Sequence, residues 1–440
     1  MISRAGKNKK RDKFFEIEII GLSHEGRGIG KINGKTVFVD GALPGETVSA
    51  KLVKKRSKFD LAQVQDILVS SQKRVIPECK HFGVCGGCSL QHMSEAYQLD
   101  YKEKVLLELL EHHSNLVPEI ISAPISADQW GYRQKARLGV KCVKGKGGVV
   151  IGFREKFKGY ITDSEECKVL DPRVGEKIIL LRMLLQSLSI SENVPQLEVA
   201  TTKDAVAIVI RHLSPLSPSD YSMLSSFGRK HNINFYLQSG GLDSIFALEE
   251  GSADLTYEVS DIRLGFSPTD FTQINPSVNK LLVAKVMSLL EVAEKDFILD
   301  LFCGIGNFSL PVAALGAKVK GVELDEAMVV RAKENARLNR IKNCSFESLN
   351  LQRASDIKSL DISRVNKILL DPPRSGCNEV LSEINLKSVK KVVYVSCNPI
   401  TFARDAAALN RLHHFELKEV GVLNMFPHTS HFECVGSFER

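Results

Sequence analysis

The chain has 440 residues, 43% of them hydrophobic and 25% charged, with ten cysteines and a formal net charge of +7. At roughly 100–200 residues per domain, that length implies two to four domains, with apolar material enough for packed cores. No apolar run approaches the ~20 residues that cross a bilayer, and the basic run Arg4, Lys7, Lys9, Lys10, Arg11 and Lys13 lacks the apolar stretch of a secretory signal. A helical membrane protein and a secreted one are therefore set aside, and a cytoplasmic protein is expected.

In that compartment the cysteines point to metal binding or catalysis rather than a disulfide scaffold. The positive excess sits in the N-terminal run and in Lys51, Lys54, Lys55, Arg56 and Lys58. Such clusters attract polyanions by counterion release, which makes RNA or DNA the natural partner class; a charge run also reads as a plain solvated face.

In chain order, residues 12–70 form the first expected domain. Phe14 to Ile20 alternates, Gly26 to Gly34 is turn-rich, Lys35 to Val39 alternates again, and Gly41 to Gly45 is a turn before Glu46 to Val53. The pattern predicts a small barrel of about five strands, the type that binds oligonucleotides, although fold alone does not decide function. Residues 71–262 form a second, strand-rich domain that opens on a cysteine cluster; within it Tyr97 to His112 predicts an amphipathic helix with Val105, Leu106, Leu109 and Leu110 on one side. Arg133, Lys135 and Arg137 lie in a basic segment there and are candidate phosphate contacts.

From residue 263 to 440 the pattern alternates helix and strand. Phe297 to Asp300, Val319 to Glu323, Ser345 to Asn350, Lys367 to Asp371 and Val392 to Cys397 are short predicted strands, each ending on a polar or reactive residue. Repeated βα units imply a parallel sheet covered by helices, with its site along one edge. The whole is a multidomain α/β protein: a small β-barrel, a central β-rich domain and a C-terminal Rossmann-like domain.

Asp300-Leu-Phe-Cys-Gly304-Ile-Gly306-Asn307 is a strand, a glycine turn and a helix start, which lets the backbone approach a ligand closely. Ser309 stands where a dinucleotide fingerprint needs its third glycine, which weakens an NAD reading. Glu323, ending the next strand, suits ribose hydroxyls, Phe302 and Asn307 would flank the ligand, and Asn350 could reach its base. With Asp371-Pro-Pro373 after the fourth strand, the ordering favours S-adenosylmethionine over NAD.

Cys79, Cys85 and Cys88 fall within ten residues around Gly83, Gly86 and Gly87. Cys167 is the best fourth ligand, since Cys142 lies in a glycine- and lysine-rich segment typical of an exposed turn. The spacing from Cys79 to Cys85 is wider than zinc sites use, which favours an iron-sulfur cluster; His81 and His92 keep a mixed zinc site open.

Cys397 follows the β-branched run Lys391-Val-Val-Tyr-Val-Ser396 and stands at a strand end, where open α/β sheets bind their ligands. It is a candidate nucleophile. Cys377, shortly after Pro372-Pro373, is a second but less well placed thiol, and Cys303 reads as packing.

Taken together, Val37 to Gly45, the cysteine cluster, Phe271-Thr-Gln273-Ile-Asn275-Pro276, Asp300 to Asn307, Asp371-Pro-Pro-Arg-Ser-Gly376, Ser396-Cys-Asn-Pro399 and His428-Thr-Ser-His-Phe-Glu433 resemble, in order, the RNA uracil-5-methyltransferase family, and within it the branch that modifies 23S ribosomal RNA. The resemblance implies a TRAM RNA-binding barrel, a [4Fe-4S] cluster on Cys79, Cys85, Cys88 and Cys167, and an S-adenosylmethionine pocket lined by Gln273, Phe302, Asn307, Glu323, Asn350 and Asp371. It implies Cys397 as nucleophile and Glu433 as base, 23S ribosomal RNA as partner, no membrane partner, and a monomer. It also implies that the segment around 93–123 packs on the catalytic domain. Phe432, Cys434 and Val435 flank Glu433 and would raise its pKa by burial. Competing expectations are the same chemistry at another 23S uridine or on transfer RNA, and a non-catalytic RNA-binding protein.

Overall fold

The computed structural model describes residues 14–251 and 254–440. The N-terminal basic run and the first positions of the expected barrel domain lie outside the described residues. The chain divides into two compact units: one runs to Gln98 and includes Glu155–Gly159 and His428–Ser430, and the other comprises the remainder.

In the first unit, β1 (Phe14–Glu18), β2 (Gly21–Leu22), β3 (Gly28–Ile32), β4 (Lys35–Asp40), β5 (Thr47–Lys55) and β6 (Phe59–Val69) form a sheet in the order β1-β5-β6-β4-β3-β2. Alternating Ile17, Ile19, Val37, Val39, Val48 and Ala50 meet in its core. The sequence predicted about five strands; the additional one, β2, has two residues and is too short to show an alternation. Strand β3 packs so closely that a Cβ at Gly30 would lie 2.5 Å from the Glu18 carbonyl oxygen and 2.6 Å from Ile17. The buried Glu46 carboxylate ties the barrel to the chain that follows it, accepting hydrogen bonds from Leu43 N–H at 2.8 Å and from Arg74 at 2.5 Å.

Helix α1 (Glu95–Ser114) leads into β7 (Ile120–Ile125). The second unit then builds two large sheets and a two-stranded one. The smaller of the large sheets contains β8 (Lys135–Val143), β9 (Gly148–Gly152), β10 (Gln196–Thr201), β11 (Val206–Arg211), β12 (Asn234–Gln238) and β13 (Ile245–Ala247), in the order β13-β12-β11-β10-β8-β9. The short α2 (Pro172–Gly175), α3 (Ile178–Ser187) and α4 (Pro218–His231) accompany it. Helix α4 opens on a capping box between Ser217 and Asp220. The core of this sheet joins Leu138, Ile151, Leu197, Ile208, Ile210 and Leu237.

A hairpin, β14 (Thr256–Val259) and β15 (Ile262–Gly265), precedes α5 (Pro276–Leu290). Then come β16 (Phe297–Leu301), α6 (Ser309–Ala314), β17 (Lys318–Glu323), α7 (Glu326–Leu338), β18 (Cys344–Ser348), α8 (Ala354–Ser359), β19 (Lys367–Leu370), α9 (Asn378–Glu383), β20 (Lys391–Ser396), α10 (Pro399–His413), β21 (Glu416–Leu423) and β22 (Glu433–Glu439). They form an eight-stranded sheet in the order β18-β17-β16-β19-β20-β22-β21-β7. The predicted parallel block runs from β18 to β20. Strand β22 is antiparallel to both β20 and β21, and β7 joins β21 in parallel from far upstream. All six residues of β20 are buried, as befits a central strand covered on both faces. Among the described residues no helix is long and apolar enough to cross a membrane.

The close approach at Gly30 gives a direct expectation. Gly30→Ala should destabilise the protein by about 1–3 kcal/mol through overpacking, visible as a lower denaturant midpoint, while Gly34→Ala, where a Cβ would meet nothing within 4 Å, should cost only the strain of its positive φ.

Candidate active site

Five adjacent strands bring one acidic group each to the same edge. In sheet order these are Glu323 at the end of β17, Asp300 near the end of β16, Asp371 directly after β19, Cys397 directly after β20 and Glu433 as the first residue of β22. The register fixes this alignment: Leu301 pairs with both Val322 and Leu370, Leu370 with Tyr394, and Ser396 with Cys434. Because β22 runs antiparallel, its beginning meets the carboxyl ends of the others.

On the β16–β17 side, the chain turns through Phe302, Gly304 and Gly306 with φ of 68°, 53° and 92°. Glu323 stitches the turn in place: one carboxylate oxygen accepts Gly304 N–H at 3.2 Å, and the other accepts Leu324 N–H at 2.7 Å and Asp325 N–H at 3.1 Å. A Cβ at Gly304 would meet nothing within 4 Å, so the turn faces open space. Ser309 donates its hydroxyl to one Asp300 oxygen, and the other oxygen is buried with no partner. Burial, helped by Glu323, pushes Asp300 up to about 7.

On the other side, Cys397 directly precedes Asn398, which caps α10 by accepting Ile400 N–H at 3.2 Å. The thiol thus stands at a helix N-terminus, a position that favours a thiolate. Burial nevertheless raises it to about 11, with Glu433 and Asp371 adding to the rise. Arg374 opposes them, through its charge and a hydrogen bond to the thiol. Burial pushes Glu433 up to about 8, again against Arg374. The Asp371 carboxyl lies well above its ordinary range, by burial first and then by Glu433, Asp300 and Glu323. Arg374 is held by α10: Asn398 Nδ2 and Thr401 Oγ1 donate to its carbonyl at 2.9 and 3.3 Å.

Residues 95–440 match the family model described as tRNA (Uracil-5-)-methyltransferase, and residues 9–69 match the TRAM domain. Over 429 residues the chain is 44% identical to a 23S rRNA (uracil(1939)-C(5))-methyltransferase RlmD of Alkalilimnicola ehrlichii, covering 97% of this chain and 96% of that one. A protein of the same description from Nitrosococcus oceani is 45% identical, over 95% of this chain and 94% of its own. The fold is shared with the Pyrococcus abyssi tRNA (uracil-54, C5)-methyltransferase solved with S-adenosyl-L-homocysteine, at a TM-score of 0.75 and 24% identity over 96% of this chain and all of that one. The chain belongs to the tRNA (uracil-5-)-methyltransferase family.

Within this uracil-5-methyltransferase fold several of the predicted site residues already have partners in the protein. Asn307 does not hold its side chain ready for a ligand: its carbonyl oxygen accepts Tyr257 O–H at 3.0 Å and Asn279 N–H at 2.9 Å, and its amide donates back to Asn279 at 3.0 Å. Asn350 closes its own turn by accepting Gln352 N–H at 2.9 Å. The motif around Gln273 is pinned from β8 and the residue before it: Lys135 Nζ donates to Pro268 O, and Gln134 N–H donates to Ile274 O at 2.9 Å. Lys135 Nζ is thus engaged by a backbone carbonyl, and burial lowers it to about 8. Arg133 lies over the Phe153 ring at 5.2 Å, and of the three candidates only Arg137 is exposed, beside Glu198 at 3.3 Å.

Cys377 is buried against Asp405 and Tyr394; its N–H donates to Asp405 at 2.7 Å, as does Tyr394 O–H at 2.8 Å. Burial raises its thiol well above the ordinary range, as it does those of Cys303 and Cys434. Cys79, Cys85 and Cys88 share one turn-rich loop of the first unit, in which Gly83 has φ of 87°, Phe82 N–H reaches Cys79 O at 2.9 Å and Gly87 N–H points at Cys85 Sγ at 3.4 Å. Cys167 belongs to the second unit. Among the described residues no group of three or more His, Cys, Asp or Glu side chains is arranged to hold a metal ion, which applies to the four cysteines as it does to the mixed site with His81 or His92.

Arg374 is the site residue that sequence reading passed over, although it stands inside a recognised motif. Arg374→Met should move the pH profile of Cys397 alkylation by iodoacetamide to higher pH, and at a fixed pH below the thiol's midpoint alkylation should slow about tenfold for each pH unit the profile moves. Cys377→Ala should leave that profile unchanged.

Proposed function

We propose that this enzyme transfers a methyl group from S-adenosylmethionine to C5 of a uridine in 23S ribosomal RNA, with Cys397 as nucleophile and Glu433 as base. The observation that carries the reading is the pairing of β20 with β22, which sets a half-buried thiol and a buried, proton-avid carboxylate side by side at one sheet edge. The relatives named for 23S rRNA match nearly the whole chain, barrel included. The tRNA enzyme shares the fold alone. A cytoplasmic setting follows from the RNA substrate.

Uracil C5 is too weak a nucleophile to take a methyl group unaided. Addition of the Cys397 thiolate at C6 turns the ring into an enolate with its electron density at C5. S-adenosylmethionine, when bound, supplies an electrophilic methyl on its sulfonium. Glu433 then removes the C5 proton, the C5–C6 double bond re-forms and the Cys397 thiolate leaves. Arg374 serves both ends of this sequence, stabilising the thiolate before addition and the carboxylate before proton abstraction. The uridine must leave its stack to expose C5 and C6. Glu323 and the Phe302–Gly306 turn would hold the nucleoside half of the donor, with Gln273, Asn350 and Asp371 lining the pocket and Asn307 supporting the turn from behind.

Cys79, Cys85 and Cys88 suit three corners of a [4Fe-4S] cluster. Each thiolate of such a cluster binds its own iron, so the ligands stand wider apart than around one ion, and the Gly87 N–H directed at sulfur is a contact that stabilises thiolate. Cys167 is the fourth ligand by the sequence resemblance. The chemistry has no redox step, so the cluster's role is to shape the protein or position RNA. The working unit is proposed to be a monomer.

The deciding measurement combines protein, labelled S-adenosylmethionine and unmodified 23S RNA, followed by mapping of the methylated base. Cys397→Ala should give no product. Glu433→Gln should add and methylate but stall, leaving a protein–RNA adduct that survives a denaturing gel. Since Glu433 works only when ionised and burial lifts it to about 8, single-turnover elimination should quicken as pH rises toward 8 and slow about tenfold per pH unit below it. Label on a base other than uracil would overturn the assignment.

For the cluster, the protein purified without oxygen should carry iron and acid-labile sulfide, and Cys88→Ser should lose both. If cluster loss leaves fold and RNA affinity intact yet abolishes methyl transfer, the structural role is wrong.

A further inference from the structure

The sheet edge carries four carboxylates and one thiol, and the guanidinium of Arg374 acts on two of these five groups. Glu323, Asp300, Asp371, Cys397 and Glu433 stand on consecutive strands, and Arg374 acts on the last two. Asp371 has Glu433, Asp300 and Glu323 around it. One Asp300 oxygen is buried and unpaired, so it lacks the hydrogen bonds that would let it carry a charge cheaply. Carboxylates at strand spacing along a partly buried edge resist ionising all together, and such groups share protons as a set.

A ligand that brings positive charge changes that balance. S-adenosylmethionine and S-adenosylhomocysteine have the same shape apart from one methyl group, but only the former carries a sulfonium. We propose that the empty edge stores a proton, held chiefly on Asp371, and that binding of the sulfonium form expels it, so that loading the methyl donor and releasing a proton are a single event. This rests on the reading of the edge as the donor site.

The consequence reaches into the reaction. When the methyl passes to C5, the electron pair of the S–CH3 bond stays on sulfur and the sulfonium becomes a neutral thioether. The cation that held down the proton affinity of the edge is then gone. That loss comes immediately before Glu433 has to accept the C5 proton, whose bonding pair closes the C5–C6 double bond as C6–Sγ breaks. Making the product therefore strengthens the base that finishes the turnover.

Calorimetric titration of the full-length protein with each nucleoside, in two buffers of different ionisation enthalpy between about pH 6.5 and 8, reads the protons exchanged. S-adenosylmethionine should release about half to one proton more than S-adenosylhomocysteine, and its affinity should climb with pH more steeply, by up to about tenfold per pH unit. In Asp371→Asn the excess of protons released with S-adenosylmethionine over S-adenosylhomocysteine should disappear. Equal proton counts for both ligands in the unsubstituted protein would overturn the inference and leave the donor site standing. If neither nucleoside binds, the donor site itself is wrong and the inference falls with it.

Discussion

Like charges held one strand apart set the terms for this molecule. At the ~4.8 Å spacing of neighbouring strands, two carboxylates in an effective dielectric of about 20 repel by roughly 3 kcal/mol, or about two pKa units. The edge from Glu323 to Glu433 carries four carboxylates and one thiol on five adjacent strands, with carboxylates on neighbouring strands at Glu323/Asp300 and Asp300/Asp371. Each member meets the repulsion differently. Glu323 takes three backbone N–H groups, Asp300 takes Ser309 O–H on one oxygen, and Cys397 and Glu433 share Arg374. Asp371, placed between the two halves, lies well above its ordinary range, by burial first and then by three carboxylates.

A parallel sheet alone would not assemble this edge, because its next strand would have to return by another crossover. The chain instead enters β22 from the edge itself, so the first residue of the strand, Glu433, is already beside Ser396 and Cys397. That entry depends on the segment before it. Lys102 on α1 buries its ammonium against Asn424 Oδ1 at 2.6 Å and Phe426 O at 3.2 Å, and Tyr132 O–H donates to Pro427 O at 3.0 Å. Burial alone lowers Lys102 to about 7. An ammonium so placed is tolerable because two oxygens meet it, and α1 thereby fixes the chain that leads to Glu433.

The parallel strands were legible because each is a short apolar run that stops on a polar residue, a local pattern. Strands β21, β22 and β7 were not, since their place comes from pairing with residues far along the chain and β7 contains Pro124. The same distinction separates the site residues. Cys397 announces itself by ending a strand, whereas the burial of Glu433 exists only because β20 and β21 flank it. Asn307 sits in a legible turn, yet its side chain is claimed by Tyr257, fifty residues earlier, and by Asn279. Lys135 and Arg133 looked like phosphate contacts in a basic run; a neighbouring carbonyl engages the first and a ring lies beneath the second. In each case charge or motif was readable and direction was not.

The thiol shows why direction matters more than identity. A nucleophile pushed up to about 11 is ionised in only about one molecule in ten thousand at neutral pH, so forming the thiolate costs roughly 5 kcal/mol. That cost has a use. A standing thiolate next to a sulfonium methyl group would itself be alkylated, since thiolate, not thiol, is the nucleophile. On the proposed mechanism, a Cys397 held protonated would leave the methyl donor intact until uracil arrives and offers C6. The means of lowering the cost are already in place, in Arg374 and the N-terminus of α10. A uracil ring stacked over the edge would exclude water and strengthen both. On that proposal the acidity of the thiol would be tied to occupancy of the base site, and the order of events would be a property of the electrostatics.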